Sequence, residues 1–326
     1  MIRRRDVLNV GLAGTASMIA PAGMPARAQS FPSKPIRWVI PFPPAGNYDV
    51  TSRIVGEAMG RRLGQTIVAD NRPGAGGIVG TEAAANAPAD GYTVVMGSFS
   101  VQWVAPYLAG KPPMVPLFAP ISLLTTVPMV IVAKSDGRFA DMKAVLAEAR
   151  SKPGTVSIGH AGNGTTNHIA ILRLQVNDKV QFNIIPYKGS GPGLADLMAG
   201  QTDLYTDQLT TSLPHIKAGK LRALLVLSPD RIGQLPDVPS LKDIGSQPFD
   251  GGTTAGLFAR AETPPPILDI LNGAVVAALK DETVSQKLVE LGAVVRPSSR
   301  QEFAAYMKDQ EAGVSELVKS GLLKPE

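Results

Sequence analysis

From Phe31 onward, short runs of β-branched and apolar residues alternate with longer stretches whose apolar positions recur every three or four residues. Ile36–Ile40 has the first signature and predicts a buried strand. The loop Pro41–Asp49 follows, then a helix from Val50 to Leu63. Thr66–Ala69 predicts the next strand, Asn71–Gly77 a loop and Ile78–Asn86 a helix; the turn Asp90-Gly91 then leads into a strand at Thr93–Met96. Such a strand–loop–helix rhythm predicts parallel sheet joined by crossover helices.

Proline-rich sequence between Lys111 and Pro120 breaks the rhythm. Ile121–Ala133 is then almost continuously apolar, with Pro128 in its middle, as expected of a strand that passes from one domain into another. The alternation resumes with a helix at Met142–Arg150, a strand at Val156–Gly159, a Gly/Asn/Thr loop and a helix at Asn167–Val176. A strand at Asn183–Pro186, the loop Tyr187–Gly191, helices to Met198 and over Leu209–Ala218, and a strand at Arg222–Leu227 complete this part. A second crossing is expected in the glycine-rich Phe249–Thr254. The tail predicts helices at Pro266–Leu279, Glu282–Leu291 and Gln301–Lys319, the last opened by an S-x-x-E capping box of Ser299 and Glu302. The expected fold class is therefore α/β, with two doubly wound α/β domains joined by crossings near residues 127–130 and 249–254. Neither crossing is a Gly/Ser tether, so both read as a hinge. The 326 residues suit two domains of the usual ~100–200 residues.

A formal net charge of +5 points at first to nucleic acid. Arg3, Arg4, Arg5 and Arg27 against Asp6 put +3 of it into residues 1–28, however, and subtracting that leaves +2 for the rest. No long basic run and few aromatics follow, so nucleic-acid binding is not expected. The same arginines open an export signal, with Val7–Ala22 as its small-residue apolar core and Ala26-Arg27-Ala28 as an A-x-A cleavage site. Arg4-Arg5-Asp6-Val7-Leu8 also fits a twin-arginine signal, while Gly11, Gly14, Pro21, Gly23 and Pro25 argue against a core helix. The chain contains no cysteine, which removes disulfides, cysteine-held metals, thiol nucleophiles and a lipid anchor together.

Gly74-Ala75-Gly76-Gly77-Ile78-Val79-Gly80 misses the dinucleotide spacing, because valine stands at 79 where glycine is required, and no phosphate-binding G-x-x-x-x-G-K-[ST] or hydrolase G-x-S-x-G occurs. His160 and His168 flank a glycine-rich loop, and two histidines alone make a poor metal site. Asp203 and Asp207 suit loop hydrogen bonding or ligand contact better than paired acid–base work. Neither a metal nor a cofactor is expected, and no enzyme.

Two loops run from a strand directly into a helix: Pro41–Asp49, and Gly159-His160-Ala161-Gly162-Asn163-Gly164-Thr165-Thr166-Asn167-His168. Helix N-termini present free N–H groups and partial positive charge, which suit a carboxylate or phosphate. One such loop from each half, placed across a cleft, would grip an anion between two domains. Asp49 reads first as a helix N-cap, Thr165 and Thr166 as caps or ligand contacts, and His168 as a structural or cleft-rim residue.

These residues resemble the Bug family, the periplasmic solute receptors of the tripartite tricarboxylate transporter type. The likeness runs in family order through Phe31-Pro32-Ser33-Lys34-Pro35-Ile36-Arg37, the Pro41–Asp49 loop, Gly64-Gln65, Asn71-Arg72-Pro73-Gly74-Ala75-Gly76-Gly77, Asp90-Gly91-Tyr92-Thr93, Tyr187-Lys188-Gly189-Ser190-Gly191-Pro192, Gly200-Gln201-Thr202-Asp203 and Leu235-Pro236-Asp237-Val238-Pro239. Ala45 departs from the family's glycine, and Thr254, Arg260 and Glu262 depart from its pattern near the second crossing. The resemblance implies a Venus-flytrap, type II-like periplasmic binding protein with domain 1 at 29–128 plus 253–326 and domain 2 at 129–252. It implies a small carboxylated solute held by Phe42, Ala45, Gly46, Asn47, Asp49 and Ser98 from one side. From the other come Gly162, Asn163, Gly164, Thr165, Thr166, His168, Tyr187, Ser190 and Asp207. The implied partner of this monomer is a membrane permease of the tripartite tricarboxylate type. A sensor kinase reading the same surface, or a periplasmic enzyme using the same cleft, are the alternatives.

Export with cleavage after Ala28 makes a definite prediction. Mass spectrometry of the protein from the periplasm should give Gln29 as the N-terminal residue; intact Met1 protein in the cytoplasm under native expression would contradict it.

Overall fold

A computed structural model describes residues 31–319, 321 and 323–325, so the export signal expected over residues 1–28 lies outside the described residues. In chain order the elements are β1 (Ile36–Ile40), α1 (Asn47–Leu63), β2 (Ile67–Asn71), α2 (Ile78–Ala85), β3 (Thr93–Gly97), α3 (Ala105–Leu108), β4 (Phe118–Val127), β5 (Met129–Lys134), α4 (Met142–Ser151), β6 (Ser157–His160), α5 (Thr166–Asp178), β7 (Asn183–Pro186), α6 (Ser190–Met198), β8 (Leu204–Gln208), α7 (Leu209–Lys217), β9 (Leu221–Val226), β10 (Thr253–Arg260), α8 (Pro265–Leu279), α9 (Glu282–Glu290), β11 (Val294–Val295) and α10 (Arg300–Lys319). No described helix is long and apolar enough to cross a membrane.

Most expected elements are present, and the exceptions have physical causes. α1 begins three residues earlier than Val50, because Gly46 rather than Asp49 is its N-cap. The apolar run Ile121–Ala133 is two strands rather than one. Val127 ends β4 in the first sheet, Pro128 intervenes, and Met129 begins β5 in the second. Between β3 and α3, Ser100–Val104 form a π-helical turn that the apolar spacing does not announce, because its buried residues include Ser100 and Gln102. β8 was also hidden: Leu204–Gln208 is buried throughout yet carries Thr206, Asp207 and Gln208. The Ser299–Glu302 capping box is present in both directions, with the Ser299 N–H donating to Glu302 Oε2 at 2.8 Å and the Glu302 N–H to Ser299 Oγ at 3.2 Å.

Two sheets result. The first has the order β11-β4-β10-β3-β1-β2 and the second β7-β6-β8-β5-β9. Instead of the purely parallel sheets expected from the rhythm, both are mixed. β1 pairs in parallel with β2 and β3, but β10 runs antiparallel between β3 and β4. Likewise β6 is parallel to β7 and β8, while β5 runs antiparallel between β8 and β9. β5 and β10 each follow a passage between sheets, so there the chain re-enters each sheet against its grain; the short edge strand β11 also runs antiparallel to β4. Each sheet with its flanking helices forms a lobe.

Strand alternation assigns the core faces. Trp38, Ile40, Met96, Ile121 and Leu124 pack with Leu271 and Val275 of α8, while Val39, Val95 and Phe258 point the other way onto Phe303 and Met307 of α10. In the second lobe Met129, Ile131, Ile158 and Leu204 cover Val145 of α4 and Ile171 and Leu174 of α5. Helix α4 buries Met142, Val145, Leu146 and Ala149, one stripe at helical spacing, and Asp141 caps it by accepting the Ala144 N–H at 2.8 Å.

The β1–α1 loop carries a local strain. Ala45 sits at φ 64°, in the left-handed region where a Cβ costs ~1–2 kcal/mol. Ala45 is exposed, so no packing depends on its methyl group. Ala45→Gly is expected to raise stability by up to about 1 kcal/mol, the relief of strain being partly offset by the greater freedom of the unfolded chain. Urea unfolding of the two proteins measures the difference, and a less stable glycine variant would contradict it.

Candidate ligand-binding cleft

The carboxyl ends of the parallel strands in both sheets face one cleft, the place where open α/β sheets bind ligands. β1 leads through residues 41–46 into α1, and β3 through Ser98 into the π-helical turn. From the other lobe β6 leads through residues 161–165 into α5, β7 through 187–189 into α6, and β8 directly into α7. Gly46 and Gly189 occupy the N-cap positions of α1 and α6, and neither helix has a side-chain cap. Thr165 caps α5, its Oγ1 accepting the His168 N–H at 3.4 Å while donating to the Gly162 carbonyl at 2.6 Å.

The cleft holds about 390 Å³ of space and is lined by Phe42, Gly46, Asn47, Tyr48, Ser98, Ser100 and Val101 from the first lobe. Ala161, Thr165, Thr166, Asn167, Ser190 and Gln208 line it from the second, with Thr253 at the start of β10. No lining residue is charged, so any preference for an anion comes from helix ends and neutral donors. Asn47 Oδ1 accepts a hydrogen bond from Thr210 Oγ1 at 2.8 Å, and its Nδ2 is buried with no protein partner. Gln208 ties the floor together. Its Oε1 accepts from Ser190 Oγ at 3.1 Å, and its Nε2 donates to Asn167 Oδ1 at 3.0 Å and Thr253 Oγ1 at 3.3 Å. The Thr166 and Thr253 hydroxyls lie 2.5 Å apart.

The lobes meet beside this cleft at two glycines of the second lobe. A Cβ on Gly164 would lie 2.4 Å from the Ala105 Cα, and one on Gly189 2.5 Å from the Pro43 Cδ.

Of the residues singled out from sequence, the cleft brings together Phe42, Gly46, Asn47, Ser98, Thr165, Thr166 and Ser190. Others stand apart from its lining. Ala45 is on the outer side of its loop. Asp49 is buried and is not the N-cap: its carboxylate accepts the Ala45 N–H at 2.9 Å, Arg53 Nε at 2.9 Å and Asn71 Nδ2 at 3.0 Å, which braces the loop. Burial pushes its pKa up, but Arg53, the Ala45 N–H and Asn71 together hold it below the usual carboxylate range. Gly162, Asn163 and Tyr187 line a neighbouring cavity against Ala105, and Gly164 is occupied by lobe contact. The Tyr187 hydroxyl donates to Asp196 Oδ2 at 3.0 Å.

Asp207 is wholly buried beneath the cleft, where its carboxylate accepts from Thr211 and, at 2.6 Å, from Ser212; burial raises its pKa against these donors. His168 stacks on His160 with ring centroids 4.6 Å apart. The Nδ1 atoms accept the Gly164 and Gly162 N–H groups respectively, so both rings brace the β6–α5 loop. Among the described residues no group of three or more His, Asp or Glu side chains is placed to hold a metal. Sequence reasoning missed Tyr48, Ser100, Val101, Ala161, Asn167, Gln208 and Thr253. Tyr48, Ala161 and Asn167 lay inside the two marked loops and Thr253 inside a segment marked only as a crossing, whereas Ser100 and Gln208 belong to segments with no recognisable signal.

A sequence model of the family described as the tripartite tricarboxylate transporter family receptor matches residues 51–322. The UPF0065 protein in the tcbD–tcbE intergenic region of Pseudomonas sp. strain P51 is 37% identical over 297 residues, covering 89% of this chain and 86% of its own. Protein BugT of Bordetella pertussis is 33% identical over 315 residues, covering 93% and 95%. Among solved structures, the periplasmic binding protein BugD superimposes with a TM-score of 0.84 at 32% identity, covering 91% of this chain and all of its own. MatC from Rhodopseudomonas palustris with bound malate gives 0.82 at 31% identity, covering 88% and 100%. An R. palustris protein with adipate gives 0.86 at 26%, covering 91% and 100%.

The histidine pair predicts acid sensitivity. Burial, together with the neighbouring His168, lowers His160 from 6.5 to about 3, and burial lowers His168 to about 4. Both folded values lie below the unfolded one, so the unfolded chain binds more protons in between. Their stabilising contribution is complete above about pH 6.5 and falls as the pH drops toward 4, by up to about 1.4 kcal/mol per pH unit for each ring. His160→Asn keeps an acceptor for the Gly162 N–H but cannot titrate. Its melting temperature should fall less steeply between pH 6.5 and 4 than that of the parent, and identical slopes would contradict this.

Proposed function

Because the chain belongs to the tripartite tricarboxylate transporter receptor family, we propose that its uncharged cleft captures a small carboxylate and that the lobes close over it. The observation that carries this reading is the convergence of the α1, α5 and α6 N-termini on a cleft with no charged lining residue. Partial positive charge and free N–H groups favour a carboxylate there, while the absence of a fixed cation leaves the grip reversible. The presence of malate and adipate in related structures supports the same chemistry.

In this reading residues 29–128 plus 253–326 and residues 129–252 are the moving bodies, and the passages near 127–130 and 249–254 are the hinge. Phe42, Gly46, Asn47, Ser98, Thr165, Thr166 and Ser190 contact the solute, joined by Tyr48, Ser100, Asn167, Gln208 and Thr253. The receptor is exported to the periplasm, works as a monomer, carries out no reaction on its solute, and hands it to a membrane permease of the tripartite tricarboxylate type that recognises the closed form.

Thermal denaturation with mono- and dicarboxylates against their amides tests this. At one hundred times its dissociation constant a ligand adds about 2.7 kcal/mol of stability, and the uncharged amide should add almost nothing. Gly164→Val places a side chain against Ala105 and should abolish the acid-induced shift by holding the lobes apart. Equal shifts for acid and amide, or an undiminished shift in Gly164→Val, would overturn the reading.

A further inference from the structure

The cleft does not end at the α5 N-terminus. Ser98, Ser100 and Thr166 also line a second chamber of about 640 Å³ that continues along α5. Thr166, Ile169, Ala170 and Arg173 form its wall on that side; they recur at three- and four-residue spacing, so one helix face runs from the first chamber to the second. Arg173 lies two turns from Thr166, about 10 Å along the axis, and a helical side chain leans back toward the N-terminus. Its side chain lines the chamber that shares Ser98, Ser100 and Thr166 with the carboxylate grip.

Arg173 is unlike the arginines that hold carboxylates elsewhere, such as Arg53 on Asp49 and Arg138 on Asp203. Its Nε is buried with no hydrogen-bond partner, and the guanidinium packs over the Phe249 ring at 5.5 Å. Asp250 is an opposing charge that acts on it, but its Oδ1 accepts the Gly252 N–H at 2.8 Å, and no ion pair joins it to Arg173 among the described residues. Desolvation lowers the Arg173 pKa and Asp250 only opposes this, as expected of a cation short of a counterion. Arg173 is half-buried, and a buried Nε–H left without a partner is costly unless an acceptor meets it; the planar guanidinium fork matches a carboxylate.

We propose that Arg173 is a ligand-binding residue that receives the far carboxylate of an extended dicarboxylate whose near carboxylate lies at the α1 and α5 N-termini. This rests on the carboxylate-receptor reading and adds a second anionic subsite to it. The chain between the carboxyl groups passes Ile169 and Ala170, so it is apolar, and the two-turn separation selects for length.

The test is calorimetric titration of the full mature protein with straight-chain dicarboxylates from succinate to sebacate, the monocarboxylates of equal length, and the dicarboxylate half-esters. Dicarboxylates that span the two subsites should bind about 10–100-fold more tightly than their monocarboxylates and half-esters, the effect of one charged hydrogen-bonded contact. Arg173→Gln should remove that advantage while leaving monocarboxylate affinity unchanged, and Arg173→Lys should restore part of it. The half-ester comparison on the unaltered protein decides the matter even if Arg173→Gln does not fold. If monocarboxylates bind and the second carboxylate adds nothing, or Arg173→Gln leaves dicarboxylate affinity intact, the subsite falls and the receptor reading stands. If no acid of either kind binds, the receptor reading falls and takes the subsite with it.

Discussion

Close contact between the lobes at two glycines of the second is the constraint on which the cleft depends. Gly164 lies against Ala105 and Gly189 against Pro43, at separations that leave no room for a Cβ. Only such close approach brings the first turn of α1 opposite those of α5 and α6, and helix-end charge fades within one turn. The same contacts explain why the site is built from small and neutral residues. Every side chain added at the lobe boundary would widen the gap across which three helix ends must act together.

The proposed carboxylate site must keep its own carboxylates quiet. Asp49 and Asp207 are both buried close to the cleft, and each is handled differently. Asp49 is charged and fully engaged by Arg53, Asn71 and the Ala45 N–H, so its charge is spent on holding the β1–α1 loop in shape. Asp207 lies under the floor among the hydroxyls of Thr211 and Ser212, where burial favours its neutral form. The two histidines follow the same logic. Stacked, desolvated and with Nδ1 turned to backbone N–H groups, they are neutral braces of the β6–α5 loop.

Gln208 links the cleft to the passages between the sheets. It ends β8, which pairs with β5 directly after Pro128, and its amide reaches Thr253 at the start of β10. Thr253 in turn pairs with Val127, the last residue before the other passage. The cleft floor and both inter-sheet passages are thus tied by one short set of hydrogen bonds, through which the position of the lobes and the shape of the floor are coupled. The family pattern departs here at Thr254, whose hydroxyl lies 2.7 Å from that of Tyr306 on α10; a polar contact occupies this edge.

Sequence alone determined the α/β character, the two passages and the two loops that matter. These are local properties: strand and helix periods at Ile36–Ile40 or Met142–Arg150, the break at Pro128, and glycine-rich turns between a strand and a helix. It also marked half of the lining, because Gly46, Asn47, Thr165 and Thr166 sit in those loops. The direction of β5 and β10, and hence the mixed sheets, was not legible, since a strand's orientation depends on where the chain re-enters the sheet. Gln208, Thr253, Ser100 and Arg173 were equally silent. A glutamine at the end of a buried strand, a threonine after a glycine pair, or an arginine two turns into a helix has no local signature. Each acquires a role only when residues far apart in sequence are packed around the same space, and that packing is decided by tertiary structure.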